Sequence, residues 1–248
     1  MGRKRNTLQG QIFSFIIFFL FTNNISASPI ESNIENHKNQ FQDIALKIWD
    51  HAELGYQENQ SSELLADALE KEGFKIKRGV AGIPTAFTAE YGSGGPVIGI
   101  LGEFDALPGL AQTSSPFKEI ANNTSGGGHA CGHHLFGAAS AWASVAIKEW
   151  LVKNNVEGTV RFYGTPAEEG GSGKVYMVRE GLFDDVDIVL HWHPDDNNSA
   201  NSRTSNSNKS AKFTFNGISA HAAGSPELGR SALDGVEAMN IMSNMMRE

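Results

Sequence analysis

The 248-residue chain has a single cysteine, Cys131, so no disulfide can form within it and a disulfide-stapled scaffold is excluded. Positive charge is also scarce. There are 20 lysines and arginines against 28 acidic residues, a formal net charge of −8. That leaves no basic surface for a phosphate backbone, and nucleic acid is not an expected partner. The apolar stretch 12–21 is too short to span a bilayer comfortably. No internal repeat is visible, which argues against a solenoid or propeller. What remains is an ordinary globular composition, 40% hydrophobic and 19% charged, enough for a real core in one large domain or two small ones.

The first residues read as a leader rather than as part of the fold. Arg3, Lys4 and Arg5 precede the apolar stretch 12–21, and Ser26, Ala27 and Ser28 supply the small residues that signal peptidase needs. We expect residues 1–27 to be a cleaved signal peptide, Ala27 its last residue, and the mature chain to be exported, periplasmic or secreted, with no stable membrane association after cleavage. An uncleaved membrane anchor is the alternative. Cleavage removes three positive charges and no negative ones, taking the net charge from −8 to −11.

Apolar residues recur at helical spacing over 34–52 (Ile34, Phe41, Ile44, Ala45, Ile48, Trp49) and 60–72 (Leu64, Leu65, Ala68, Leu69). Residues 75–78, 85–91 and 97–101 read as strands, 134–152 as a small-residue helix, 159–165 as a strand, 173–180 as a helix and 187–192 as a strand. This alternation predicts an α/β fold, a three-layer domain on a mostly parallel sheet. The stretch 195–210, DDNNSANSRTSNSNKS, has almost no apolar residue and reads as a linker. One strand, 211–216, and one amphipathic helix, 230–247, follow it, too little to bury their own apolar faces. The expected organisation is therefore a leader at 1–27, an α/β domain at 28–208 that is incomplete, and the start of a second, α+β domain at 209–248.

The chemistry-bearing residues sit where strands should end, the usual place for sites in open α/β sheets. In GEFDALPG, Glu103 and Asp105 are two apart and share a face of an extended chain. In GGGHACGHHLFG, Cys131 and His133 are also two apart, in a glycine-rich segment that can turn both toward one point. Thiolate and imidazole are preferred ligands of zinc and related metals. In GTPAEEGGSG, Glu168 and Glu169 are adjacent and must diverge, so one can bind metal while its neighbour takes a proton from water. In VLHWHP, His191 and His193 flank Trp192. Each stretch alone has a bland reading as a polar loop or a buried histidine, and Cys131 with a neighbouring histidine has a rival reading as a nucleophilic dyad. Jointly they describe a metal site with a spare carboxylate, an open hydrolytic site rather than a closed structural zinc. Beyond the linker, His221 lies in a Gly/Ala/Ser loop and could donate to an oxyanion, and Arg230 opens the last helix.

These stretches, together with REGLFDDVDIVLHWHP and GISAHAAGSPELGRSALDGVEAMN, resemble the amidohydrolases of the aminoacylase/carboxypeptidase G metallopeptidase family from about residue 40 to the end. The resemblance implies two divalent metal ions, zinc or manganese, and an inserted lid domain that often forms a homodimer. It implies Cys131, His133, Glu169 and His193 as metal ligands, and Glu168 as general base. It implies His221 as the lid histidine that assists the oxyanion, and Asp105 as the aspartate that orients a ligand. Many relatives carry histidine where this chain has Glu103, which leaves the role of Glu103 open, as are those of His129, His134 and His191. The resemblance also implies one further histidine ligand downstream of the lid, so the expectation is of a C-terminally truncated sequence. The expected activity is metal-dependent cleavage of the amide in a small acyl- or aroyl-amino acid such as aminobenzoyl-glutamate. A dipeptidase or aminoacylase, or a non-catalytic metal-binding remnant, are the alternatives.

Overall fold

A computed structural model describes residues 29–122, 125–200 and 204–247; the expected leader, 1–27, lies outside the described residues. The chain forms two compact units that divide between Asp196 and Asn197, inside the polar stretch and ahead of the boundary at 208 drawn from composition. No helix among the described residues is long and apolar enough to cross a membrane.

The first unit opens with α1 (Pro29–His51), which begins five residues before the expected start, at a proline whose fixed φ suits a first helical turn. Phe41, Ile44, Ala45 and Ile48 recur every three or four residues and are buried on one face. In α2 (Asn59–Lys71), Leu65, Ala66, Ala68 and Leu69 are buried. The cap of α2 comes from upstream: the Glu53 carboxylate accepts the backbone N–H groups of Gln60 (3.0 Å) and Ser61 (2.9 Å).

Strands β1 (Lys75–Arg78), β2 (Phe87–Ser93) and β3 (Val97–Gly102) follow. A two-residue pairing of β4 (Leu107–Pro108) with β5 (Gly127–Gly128) comes next, then α3 (His133–Asn154), β6 (Gly158–Gly164), α4 (Gly173–Arg179) and β7 (Ile188–Leu190). The five-stranded sheet has the order β1-β2-β6-β3-β7. Strands β1, β2 and β6 pair antiparallel, whereas β6, β3 and β7 run parallel, and it is this parallel part that carries the chemistry-bearing loops.

Side-chain alternation sorts the two faces. Ile100, Val160 and Phe162 join the cluster formed with α1, α2 and α3, whereas Leu101 and Tyr163 face Met177 of α4. The small residues Ala138, Ala141 and Ala146 keep α3 close to the sheet. Helices therefore cover both faces, which makes three layers. The chain leaves β3 toward α3 on one face and leaves β6 toward α4 on the other. The crevice between the ends of these neighbouring strands is a topological switch point. β7 is shorter than the expected 187–192, because it pairs on one side only and Pro194 has no N–H for a ladder.

The second unit holds a short 3-10 turn, Pro226–Leu228, and helix α5 (Ala232–Met245). Ser231 caps α5, its hydroxyl accepting the N–H of Asp234 at 3.1 Å. The expected strand 211–216 is corrected here: it has no ladder among the described residues, and the bridge found in this unit joins Ile218 to Arg230. A strand is defined by its partner's hydrogen bonds, and these residues find none.

Candidate metal centre

The loops after β3 and β6, the turn into α3 and the end of β7 converge at the switch point. Gly132 is the residue that lets the turn form. Its φ of +80° lies in the left-handed region, and a Cβ there would meet Pro194 at 2.9 Å. The tight contact brings the chain around His193 against the start of α3. Cys131 Sγ then lies 3.3 Å from His193 Nε2. Cys131, His133 and His193 each place one donor atom within 4.8 Å of the others, and Glu103, His133 and Glu168 form a second such group sharing His133.

Hydrogen bonds aim these donors. His133 Nδ1 lies 3.0 Å from both the backbone oxygen and Oδ1 of Asp105, which leaves Nε2 to face the cluster. His193 Nδ1 lies 2.8 Å from the carbonyl of Pro194, an acceptor, so the proton sits on Nδ1 and the Nε2 lone pair faces Cys131. This is the arrangement in which an outer partner sets the tautomer of a ligating histidine. Asp105 does two jobs: it is buried, and its Oδ2 also accepts the backbone N–H of Glu169 at 3.0 Å. Glu168 and Glu169 approach His133 Nε2 to 3.8 and 3.9 Å, so both members of the pair reach the site.

The site is short of positive charge. Glu103 is buried, and burial opposes its charge, but His133, His191 and Lys174 outweigh that and hold its carboxyl well below the usual range. The Lys174 ammonium sits directly on Glu103 Oε1. Burial also opposes the charge of His133, yet Asp105 and Glu103 outweigh it and hold the imidazole up to about 10. Burial, then Glu103, raises Glu168 from the ordinary carboxylate range. Burial, then Glu169 and the other carboxylates, pushes the Cys131 thiol up to about 12. A nucleophilic dyad needs a thiolate, so these surroundings disfavour that reading.

A cation fits these residues. His133 Nε2 and Glu103 Oε2 form an ion pair at 2.9 Å without hydrogen-bond alignment, so these two atoms and Glu169 Oε1 are buried with no hydrogen bond of their own. A divalent ion is the partner such orphaned donors and a carboxylate excess can share, and thiolate with two imidazoles suits a borderline metal.

The remaining histidines divide. His129 and His134 are neutral, each held down to about 4, chiefly by burial. His129 Nε2 donates to the carbonyl of Ile48 at 2.9 Å, and His134 packs edge-on against Trp49 at 4.9 Å between ring centroids. His191 is half exposed, with Nε2 3.8 Å from Glu103. In the second unit, His221 Nδ1 accepts the N–H groups of Ala223 (3.2 Å) and Gly224 (2.9 Å), so its proton sits on Nε2. Arg230 is exposed, and its backbone pairs with Ile218.

Sequence reasoning missed two participants. Lys174 opens α4 one turn after the glutamate pair, and only its position after an acidic, glycine-rich turn hinted at a role. Trp192, between the two histidines, donates its indole N–H to Ser140 Oγ at 3.0 Å and ties the end of β7 to α3.

The chain is similar to several known proteins. A family model described as Peptidase family M20/M25/M40 matches residues 99–231. A p-aminobenzoyl-glutamate hydrolase subunit of Escherichia coli K12 is 48% identical over 88% of this chain and 46% of its own length. The hippurate hydrolase of Campylobacter jejuni is 32% identical over 62% of this chain and 39% of its own. The chain thus spans about half the length of the curated relatives it matches. A Bacillus subtilis protein solved as a dinuclear metal binding peptidase of the M20 family superposes with a TM-score of 0.50 at 29% identity, over 63% of this chain and 43% of that one. An aminobenzoyl-glutamate utilization protein of Klebsiella pneumoniae superposes at 0.54 and 17% identity, over 82% and 56%, a likeness of fold. With more than half of its residues matched by the family model and the donor cluster at its switch point, the chain belongs to peptidase family M20/M25/M40.

Proposed function

We propose that this chain carries the catalytic residues of a metal-dependent amidohydrolase that cleaves the amide of an N-acyl or N-aroyl amino acid, with aminobenzoyl-glutamate as the first substrate to try. The observation that carries the reading is the convergence of Cys131, His133 and His193 on one point with the Glu168 carboxylate 3.8 Å from His133 Nε2. The E. coli relative's name supports the choice of substrate. The Bacillus subtilis relative, solved as a dinuclear metal binding peptidase, supports two divalent ions, zinc or manganese. The grouping of Cys131, His133 and His193 and the 3.9 Å approach of Glu169 to His133 Nε2 support these four residues as ligands. When bound, such ions supply Lewis acidity toward a water and toward the scissile carbonyl. The chain's own residues do the rest. Glu168, its pKa raised, accepts a proton from the attacking water at its carboxylate and returns it to the leaving amine as the C–N bond breaks. Asp105 holds the His133 ring and the Glu169 backbone in place. His221, with its proton on Nε2, is the proposed donor to the carbonyl oxygen.

The test is metal content measured together with hydrolysis of aminobenzoyl-glutamate, hippurate and simple dipeptides. Glu168→Gln is expected to abolish turnover while metal content stays near that of the unsubstituted protein. Full activity in that variant would sink the assignment. Equal turnover of dipeptides would move the substrate class to a dipeptidase, a reading supported by the 31% identity to the human Xaa-Arg dipeptidase. Metal bound without any turnover would favour a non-catalytic metal-binding chain. We further propose export directed by residues 1–27, checked by fractionation of expressing cells. A homodimeric assembly is proposed as well, checked by sedimentation.

A further inference from the structure

We propose that Glu58 is a positioning residue: its buried carboxylate clamps the backbone turn at Ala167 that presents Glu168 and Glu169 to the metal site. The proposal rests on the metal reading above.

Ala167 is fully buried with φ +56°, a left-handed conformation that a non-glycine residue keeps only where its surroundings hold it. Three contacts do so. Glu58, 0% exposed, accepts the N–H of Ala167 at 2.8 Å through Oε1 and the Thr85 hydroxyl at 3.0 Å through Oε2. The Ala167 methyl is packed between Gly55 and Gly171, where a Cβ would come within 3.0 and 2.7 Å of it. Tyr56 donates its hydroxyl to the Gly171 carbonyl at 2.5 Å.

Glu58 is the N-cap residue just ahead of α2, where a carboxylate would ordinarily cap the helix, yet its side chain makes no cap bond. Glu53 supplies that cap instead, which leaves Glu58 free to turn inward. The same segment bridges Leu54 to Ala106 beside Asp105, so residues 53–58 touch the loops after both β3 and β6. Burial raises the Glu58 pKa, a cost that an idle side chain in this position would avoid by pointing to solvent.

The test uses Co2+ as the metal, since its charge-transfer band with the Cys131 thiolate reports the site without substrate. On the full-length protein, well below its melting temperature, Glu58→Ala is expected to weaken Co2+ binding about tenfold, the lower end for groups that orient ligands. It is also expected to lower kcat with KM little changed. Glu58→Gln keeps an acceptor for Ala167 and a group that can bond the Thr85 hydroxyl, and should restore both. Ser62→Ala removes a neighbouring buried hydrogen bond to the Thr85 carbonyl without touching the turn, so it should lower stability and leave Co2+ affinity unchanged. Should Glu58→Ala fail to fold, Tyr56→Phe tests the same clamp from an exposed ring and should weaken Co2+ binding at least twofold. Unchanged affinity in the folded clamp variants refutes the positioning role alone. So does a Glu58→Gln variant that folds but is as impaired as Glu58→Ala. Absence of the thiolate–cobalt band in the unsubstituted protein refutes the metal reading, and the positioning role with it.

Discussion

Replacing Asp105 with asparagine isolates the contribution of one buried carboxylate to the site. Both oxygens of Asp105 are engaged: Oδ1 faces His133 Nδ1 at 3.0 Å and Oδ2 accepts the Glu169 N–H at 3.0 Å. Asparagine has nearly the same shape but only one acceptor. If its oxygen serves His133, its amide opposes the Glu169 N–H, donor against donor. A hydrogen bond to a charged acceptor contributes about 1.5–3 kcal/mol. At about 1.4 kcal/mol per decade, losing one predicts metal affinity weaker by roughly 10- to 100-fold. Removing a negative charge from a cluster that also holds Glu103, Glu168 and Glu169 acts in the same direction on the metal. In the metal-free protein the substitution also deprives protonated His133 of its Asp105 carboxylate partner. The melting temperature without metal should therefore fall as well. The assay is calorimetric titration with Zn2+, paired with thermal melts in chelator. Zn2+ affinity within twofold of the parent, in a folded variant, would refute the argument that Asp105 orients His133 and Glu169 for the metal.

Three further outcomes follow from the same geometry. Lys174→Met leaves the buried Glu103 carboxylate without its ammonium partner and should cost about 3 kcal/mol of stability, the low end for breaking a buried pair, because His133 still faces Glu103. The double variant with Glu103→Gln should recover most of that in urea unfolding, and no recovery would contradict the pairing. Gly132→Ala forces a left-handed alanine at a cost of about 1–3 kcal/mol and sets a methyl against Pro194, so it should separate His193 from Cys131 and weaken metal binding more than a distant variant of equal stability. In the metal-free protein, His133 has a folded pKa of about 10 against 6.5 for the free side chain, so its stabilising contribution is complete below pH 6.5 and is lost as pH rises toward 10. Urea unfolding in chelator should show that decline and lose it in His133→Asn; a flat profile in the parent protein would contradict the placement of His133 between two carboxylates.

Much of this molecule was legible from local pattern. Helices and strands of the first unit announce themselves through apolar spacing, because a residue's face on a helix or strand depends only on its separation from its neighbours in sequence. Cys131, His133, Glu168, Glu169 and His193 stood out because such groups are costly near an apolar sheet unless they share a partner. The strand expected at 211–216 failed for the complementary reason: its pattern was local, but a strand exists only where a second one bonds to it.

The sequence by itself determined the element types of the α/β unit, its acidic character and the roster of residues able to hold a metal. Only the tertiary structure decided how those residues divide the labour. Sequence spacing could not reveal that Lys174 neutralises Glu103, that Asp105 serves two loops at once, or that Glu58 holds the turn of Ala167 from 109 residues away. These are contacts between strand-end loops distant in sequence. Which loops meet is set by the order of strands in the sheet and by the faces to which the helices cross, and those are properties of the packed chain as a whole.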